Sequence, residues 1–183
     1  MIDNNRVLER IVEEIQGVIA RMDENDLERA MALITKGSRI YAVGEGRSGF
    51  QARSFAMRMM HIGYTSYMMG ETICPSMREG DVLLAISGSG KTRRTVEDAE
   101  AAKNLGVRVI AVTSKSDSPL ASVADAVIVV PGRVKGESSG SIQLLSSLFD
   151  QSVHIALDAL CLMLSRRDDV SDADANANHA NVE

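Results

Sequence analysis

Two glycine-rich segments of the chain carry residue types that can grip an anion. The first, VGEGRSG at residues 43–49, sets Gly44, Gly46 and Gly49 at G-x-G-x-x-G spacing between a β-like and a helical run, and Glu71 follows further on. The second, AISGSGKT at residues 85–92, brings Ala85, Gly90, Lys91 and Thr92 close to the spacing of a nucleotide-phosphate loop, with Ala in place of the first glycine. Taken singly, one predicts a dinucleotide and the other a nucleoside triphosphate.

The rest of the chain supports neither. A P-loop enzyme also needs an apolar strand ending in Asp to hold magnesium, but VRVIAVT runs into Ser114 and AVIVV into Pro131 and Gly132. A dinucleotide enzyme needs a further region for its reducible substrate, and 183 residues leave little beyond the sheet. A third reading uses both loops at once. Two strand ends, each opening a helix, offer backbone N–H groups and small hydroxyls to one phosphate. Ser48, Ser87, Ser89 and Thr92 supply the hydroxyls, and Gly88 and Gly90 let the backbone come close. The plainer alternative makes them turn and N-cap residues, although capping alone rarely yields two such loops at neighbouring strand ends. Arg47 is able to pair bidentately with phosphate or to bridge to Glu45 or Glu71. Lys91 adds charge beside the phosphate or is a solvated lysine at a helix start.

These loops need a scaffold, and the apolar pattern supplies one. Helical spacing of Val7, Leu8, Ile11, Ile15, Val18 and Ile19 predicts a helix over residues 3–22, and Asp26 then caps a second helix to about residue 36. Short β-rich runs follow at residues 39–43, 65–69, 82–87, 107–113 and 126–130. Helical stretches are expected at 49–61 and 92–105, a loop at 70–81, and a long apolar helix over about 142–166. Runs without alternation, separated by helices, predict an α/β fold: a doubly wound, Rossmann-like, five-stranded parallel sheet flanked by helices. Ligands of such sheets bind beyond the carboxyl ends of the strands. Residues 1–167 are read as one domain with two leading helices. Residues 168–183 form a polar tail whose composition reads as solvated or disordered.

Composition narrows the partners. Twenty Lys and Arg against 25 Asp and Glu give a net charge of −5, which argues against a nucleic-acid or anionic membrane partner. Aromatics are 3% with no Trp, so binding by stacking is not expected. The charged N-terminal pattern lacks an apolar signal segment, and the expected location is cytoplasmic. Cys74 and Cys161 stand alone and read as reduced thiols. His61 at a helix end reads as a cap or packing residue. His154 and Asp158, at i+4 and i+8 from Asp150, share a helix face but lack the further ligands of a metal site.

SGSGKT together with the upstream GEGRSG resembles the sugar isomerase (SIS) domain family over nearly the whole chain. Within it, RSGFQARSFAMRMMHIG, GETICPSMREGD, LFDQ and HANVE are similar to the 6-phospho-3-hexuloisomerase family. The resemblance implies a homotetramer and interconversion of 3-hexulose 6-phosphate with fructose 6-phosphate in the ribulose monophosphate route. A functional link to the hexulose-phosphate synthase of that route is part of the implication. No metal, nucleotide or other cofactor is implied. It places the catalytic base at Asp150, where the family usually has Glu, and brings His179 in the tail to an active site of its own or a neighbouring subunit. Alternatives are isomerases of other phosphosugars, such as arabinose 5-phosphate or phosphoheptose, and a regulatory sugar-phosphate-binding module that needs no base.

Overall fold

The apolar runs assemble into one sheet in the computed structural model, which describes residues 6–182. Its strands are β1 (Ile40–Gly44), β2 (Ser66–Met68), β3 (Val82–Ile86), β4 (Arg108–Thr113) and β5 (Ala126–Val129). All neighbours pair in parallel, in the order β2-β1-β3-β4-β5. The helices are α1 (Val7–Ile19), α2 (Glu24–Leu33), α3 (Arg47–His61), α4 (Arg93–Asn104), α5 (Pro119–Val123), α6 (Ser147–Arg167) and α7 (Asp172–Ala177). The doubly wound parallel sheet expected from the sequence is the observed architecture.

Layering explains the lack of alternation. Ile40, Ala42, Leu84, Ile86, Ile110 and Ile128 face a layer in which α1, α2, α3 and α6 pack, while Tyr41, Val43, Leu83, Ala85, Val109 and Ala111 face α4 and α5. Both faces being covered, every residue of β3 is buried. The loop joining β2 to β3 takes the place of a crossover helix, with Met69, Cys74 and Met77 packed on the α4 side. Winding reverses between β1 and β3, which leaves a crevice at their carboxyl ends.

Several boundaries differ from the sequence expectation, each for a local reason. The expected start of α1 at residue 3 lies outside the described residues. Asp23, not Asp26, caps α2, its side chain accepting from Asn25 N at 3.0 Å. Asp26 sits inside the first turn, where Oδ2 accepts from Val129 N at 3.1 Å and ties α2 to β5. The helix stops at Leu33, short of residue 36, because Ile34 is extended. α5 was not expected; Ser118 caps it and Pro119 opens it. α6 begins at Ser147 rather than near residue 142. Glu14 of α1 accepts from Ile142 N at 2.6 Å, Ser141 Oγ at 2.7 Å and Gln143 Nε2 at 3.1 Å, and Leu145 takes a left-handed φ of 53°. Those bonds draw the segment away from helical geometry. They also hold the Glu14 carboxyl below its usual range, although burial alone raises it.

The polar tail carries a short, largely exposed helix. Ser171 and Asp174 form a reciprocal capping box that starts α7. Beyond it, Asn178 Nδ2 donates to His61 O at 3.0 Å and the His179 ring stacks on His61 with centroids 5.0 Å apart. Among the described residues α6 alone has the length and apolarity of a membrane span. It carries Asp150 and Asp158, and Phe149, Val153, Leu157, Leu160 and Leu164 bury its apolar face in the α-layer.

Candidate active site

The first glycine loop is a device for close approach. A Cβ on Gly49 would lie 2.6 Å from Gly44 O, and one on Gly44 would lie 2.9 Å from Ser48 C and O. Only glycines let the first turn of α3 sit directly on the end of β1. Gly46, at φ 59°, is the N-cap. The fingerprint spacing thus serves helix–strand packing and sends Arg47 and Ser48 into the crevice.

The second loop turns back on itself beyond β3. Gly90 has φ 63°, and a Cβ there would lie 2.1 Å from Ser118 Oγ, so the turn requires glycine. Ser87 is buried beneath the loop, its Oγ 2.8 Å from Thr92 Oγ1. Lys91 N donates to Ser89 Oγ at 3.2 Å. Gly88 O accepts from Ser114 Oγ at 2.7 Å and from Thr113 Oγ1 at 3.3 Å, which anchors the loop to the end of β4.

Between the loops lies a cleft of about 380 Å³, lined by Glu45, Arg47, Ser48, Gly88, Ser89, Thr92, Val134, Lys135, Leu145, Ser146 and Asp150. Asp150, in the first turn of α6, is only 1% exposed. Arg47 Nε donates to its Oδ2 at 3.0 Å and Ser48 Oγ to its Oδ1 at 3.4 Å. Burial pushes the carboxyl above its usual range, and the Arg47 and Ser48 contacts oppose that shift only in part. A buried carboxylate at a cleft that also holds the Ser48, Ser89 and Thr92 hydroxyls, with its proton affinity raised, has the properties of a general base.

The structure therefore brings Arg47, Ser48, Gly88, Ser89, Thr92 and Asp150 to one cleft. Ser87 and Gly90 shape the loop from beneath, while Lys91 is exposed and does not line the cleft. Arg47 bridges to Asp150 rather than to Glu45 or Glu71, and Glu71 pairs with Arg53. His154 lies 3.0 Å from Gln51 Oε1 and 3.5 Å from Asp158. Among the described residues no three His, Cys, Asp or Glu gather as a metal site. His179 does not reach this cleft. It packs on His61, the last residue of α3, whereas Arg47 is the first, and a 15-residue helix is about 22 Å long.

Sequence reasoning missed one wall of the cleft, the strap over residues 131–146 that contributes Val134, Lys135, Leu145 and Ser146. Its only sequence signal is position, since it follows the carboxyl end of β5. The strap touches the second loop directly, for a Cβ on Gly88 would lie 2.8 Å from Val134 Cγ1.

A parallel 2-1-3-4-5 sheet with glycine loops from β1 and β3 facing one cleft defines a doubly wound α/β protein whose candidate site lies at the topological switch point. Residues 33–154 match the model of the SIS domain, and the chain belongs to that family. A protein of Mycobacterium gastri named 3-hexulose-6-phosphate isomerase is 37% identical, the match covering 100% of this chain and 92% of that protein. A protein of the same name from Bacillus subtilis is 35% identical, covering 94% and 95%. A crystal structure from Methanococcus jannaschii, described as inferring a molecular function of 3-hexulose-6-phosphate isomerase, superposes with TM-score 0.82 at 29% identity, covering 96% of this chain and 98% of that one.

Proposed function

We propose that this chain is a sugar-phosphate isomerase that interconverts 3-hexulose 6-phosphate and fructose 6-phosphate. The observation that carries the reading is the Asp150 carboxylate, 1% exposed, facing the same cleft as the Ser89 and Thr92 hydroxyls. Relatives of this chain bear that enzyme's name over nearly their full lengths. A binding module would need the phosphate cradle but would have no use for a buried carboxylate of raised proton affinity beside it.

The second loop and the strap hold the phosphate, and the opened sugar chain extends toward Asp150. Asp150 takes the proton from C2 of the 3-ketose, the C2–H electron pair forms the C2=C3 bond, and the C3 carbonyl oxygen takes up a proton to give an enediol. In the second half Asp150 returns a proton to C3 while O2 releases its own and becomes the new carbonyl. One base serves both carbons because they are adjacent. The Arg47 guanidinium, 3.0 Å from the carboxylate, steadies charge on the reacting oxygens. His179 lies far from the cleft of its own chain, so its role in ring opening or proton delivery falls to the cleft of a neighbouring copy.

Assembly follows the same reading. Leu8, Val12 and Ile19 of α1 and Ile155 and Leu162 of α6 are exposed apolar side chains, and Val12, Ile15, Ile19 and Ile155 line a shallow apolar groove. Burial of this face between copies supports a homotetramer. The enzyme works in the cytoplasm beside a hexulose-phosphate synthase that supplies its substrate. The test is a coupled assay from ribulose 5-phosphate and formaldehyde with that synthase present. Fructose 6-phosphate above the synthase-only control is expected, and its absence sinks the assignment.

A further inference from the structure

Two cations line the cleft, Arg47 and Lys135, against two carboxylates, Glu45 and Asp150. The cleft is therefore neutral as a whole, whereas a phosphosugar near pH 7 arrives as nearly a dianion. Arg47 is engaged, its Nε hydrogen-bonded to Asp150. Lys135 is in no ion pair among the described residues, and its ammonium is exposed. Lys91, which stands within the glycine loop, does not line the cleft.

The backbone of Lys135 is well placed. Its N–H donates to Ser146 Oγ at 3.1 Å, and the preceding Val134 packs on Gly88 of the phosphate loop. Val134 N donates to Glu137 Oε2 at 3.0 Å, and Arg133 donates to Glu137 O and Gln143 O. The strap is thus pinned on both sides of Lys135, whose own side chain is exposed.

We propose that Lys135 is the charge partner of the substrate phosphate, reaching from the strap to the anion held by the Ser87–Thr92 loop. This rests on the phosphosugar reading of the cleft and names the residue that reading lacked. Among the described residues no hydrogen-bond or ion-pair partner holds the ammonium. When the dianion sits on the loop, the lysine closes over it, and the strap, the loop and the ligand form one connected unit. A lysine suits the task because its compact charge sits on a flexible stem.

Titration calorimetry with inorganic phosphate and with fructose 6-phosphate tests this without depending on turnover. Lys135→Met is expected to weaken both ligands roughly 10- to 100-fold, as loss of a charge-assisted hydrogen bond does. Lys135→Arg restores most of the affinity, and the salt dependence of binding flattens in Lys135→Met. Equal melting temperatures of wild type and variant exclude a folding cause. Phosphate affinity in Lys135→Met within twofold of wild type overturns the proposal, as does a loss no larger than that of Lys91→Met. A wild type that binds both ligands but forms no product refutes the isomerase reading and leaves the role of Lys135 standing.

Discussion

Arg47 Nε lies 3.0 Å from Asp150 Oδ2, so the mouth of β1 and the first turn of α6 meet in one ion pair between residues 103 positions apart. One partner is buried at 1% exposure and the other is largely open to the cleft. Such a pair holds a base without quenching it, since the guanidinium only partly offsets the burial that raises the carboxyl's proton affinity.

Asp150→Asn keeps the shape and removes the base. Turnover is expected to fall about 10²- to 10⁴-fold, with fructose 6-phosphate affinity within a few-fold of wild type. Stopped assays and calorimetry on the same preparation check this. Loss of binding in step with turnover would make Asp150 a binding residue instead.

The acid limb of the rate profile should report Asp150, because only its ionised form accepts a proton. Its midpoint is expected above the ordinary aspartate range, and Arg47→Met should move it to still higher pH by removing the opposing cation. The same shift has a stability counterpart with a definite sign. A carboxyl whose folded pKa is raised contributes stability below its unfolded pKa, and that contribution is lost as pH rises through the folded value. Asp150→Asn should therefore melt at or above the wild-type temperature at pH 7, with the advantage shrinking toward acid pH. Scanning calorimetry across the range measures it.

Gly49→Ala sets a methyl carbon 2.6 Å from Gly44 O, where the neighbour is backbone. A loss of about 1–3 kcal/mol is expected, with turnover falling because Arg47 and Ser48 shift together. Gly37→Ala, where a Cβ meets nothing within 4 Å, should stay within about 0.5 kcal/mol. Urea unfolding of the two variants separates close approach from a general glycine effect.

Val12→Glu places a charge in the apolar groove between α1 and Ile155. Light scattering should show the assembly falling to smaller species. A wild type already at the 19.7 kDa of one chain would contradict the tetramer.

Much of the scaffold was legible because its signals are local. Strands buried on both faces show as unbroken apolar runs, and the glycines of both loops mark places where backbone must come close. What stayed hidden depends on distant partners. Nothing near Ser141 or Gln143 announces that Glu14, on another helix, sets their conformation and delays the start of α6. The strap has no period, so Lys135 and Ser146 could not be placed in the cleft from pattern alone. Asp150 came from the family resemblance, and its pairing with Arg47 is a tertiary fact that no spacing encodes. The capping box of Ser171 and Asp174 was readable locally, but the polar composition of the tail masked it.

Isomerisation by Asp150 requires proton transfer between C2 and C3 of a phosphorylated ketose. Incubating the protein with fructose 6-phosphate in deuterated water and following the sugar by NMR tests it most directly. The mechanism predicts deuterium at C3 of fructose 6-phosphate together with signals of the 3-ketose, and none of this with Asp150→Asn. Deuterium at C1, the mark of a 1,2-enediol, or a spectrum with neither label nor new ketose, would contradict it.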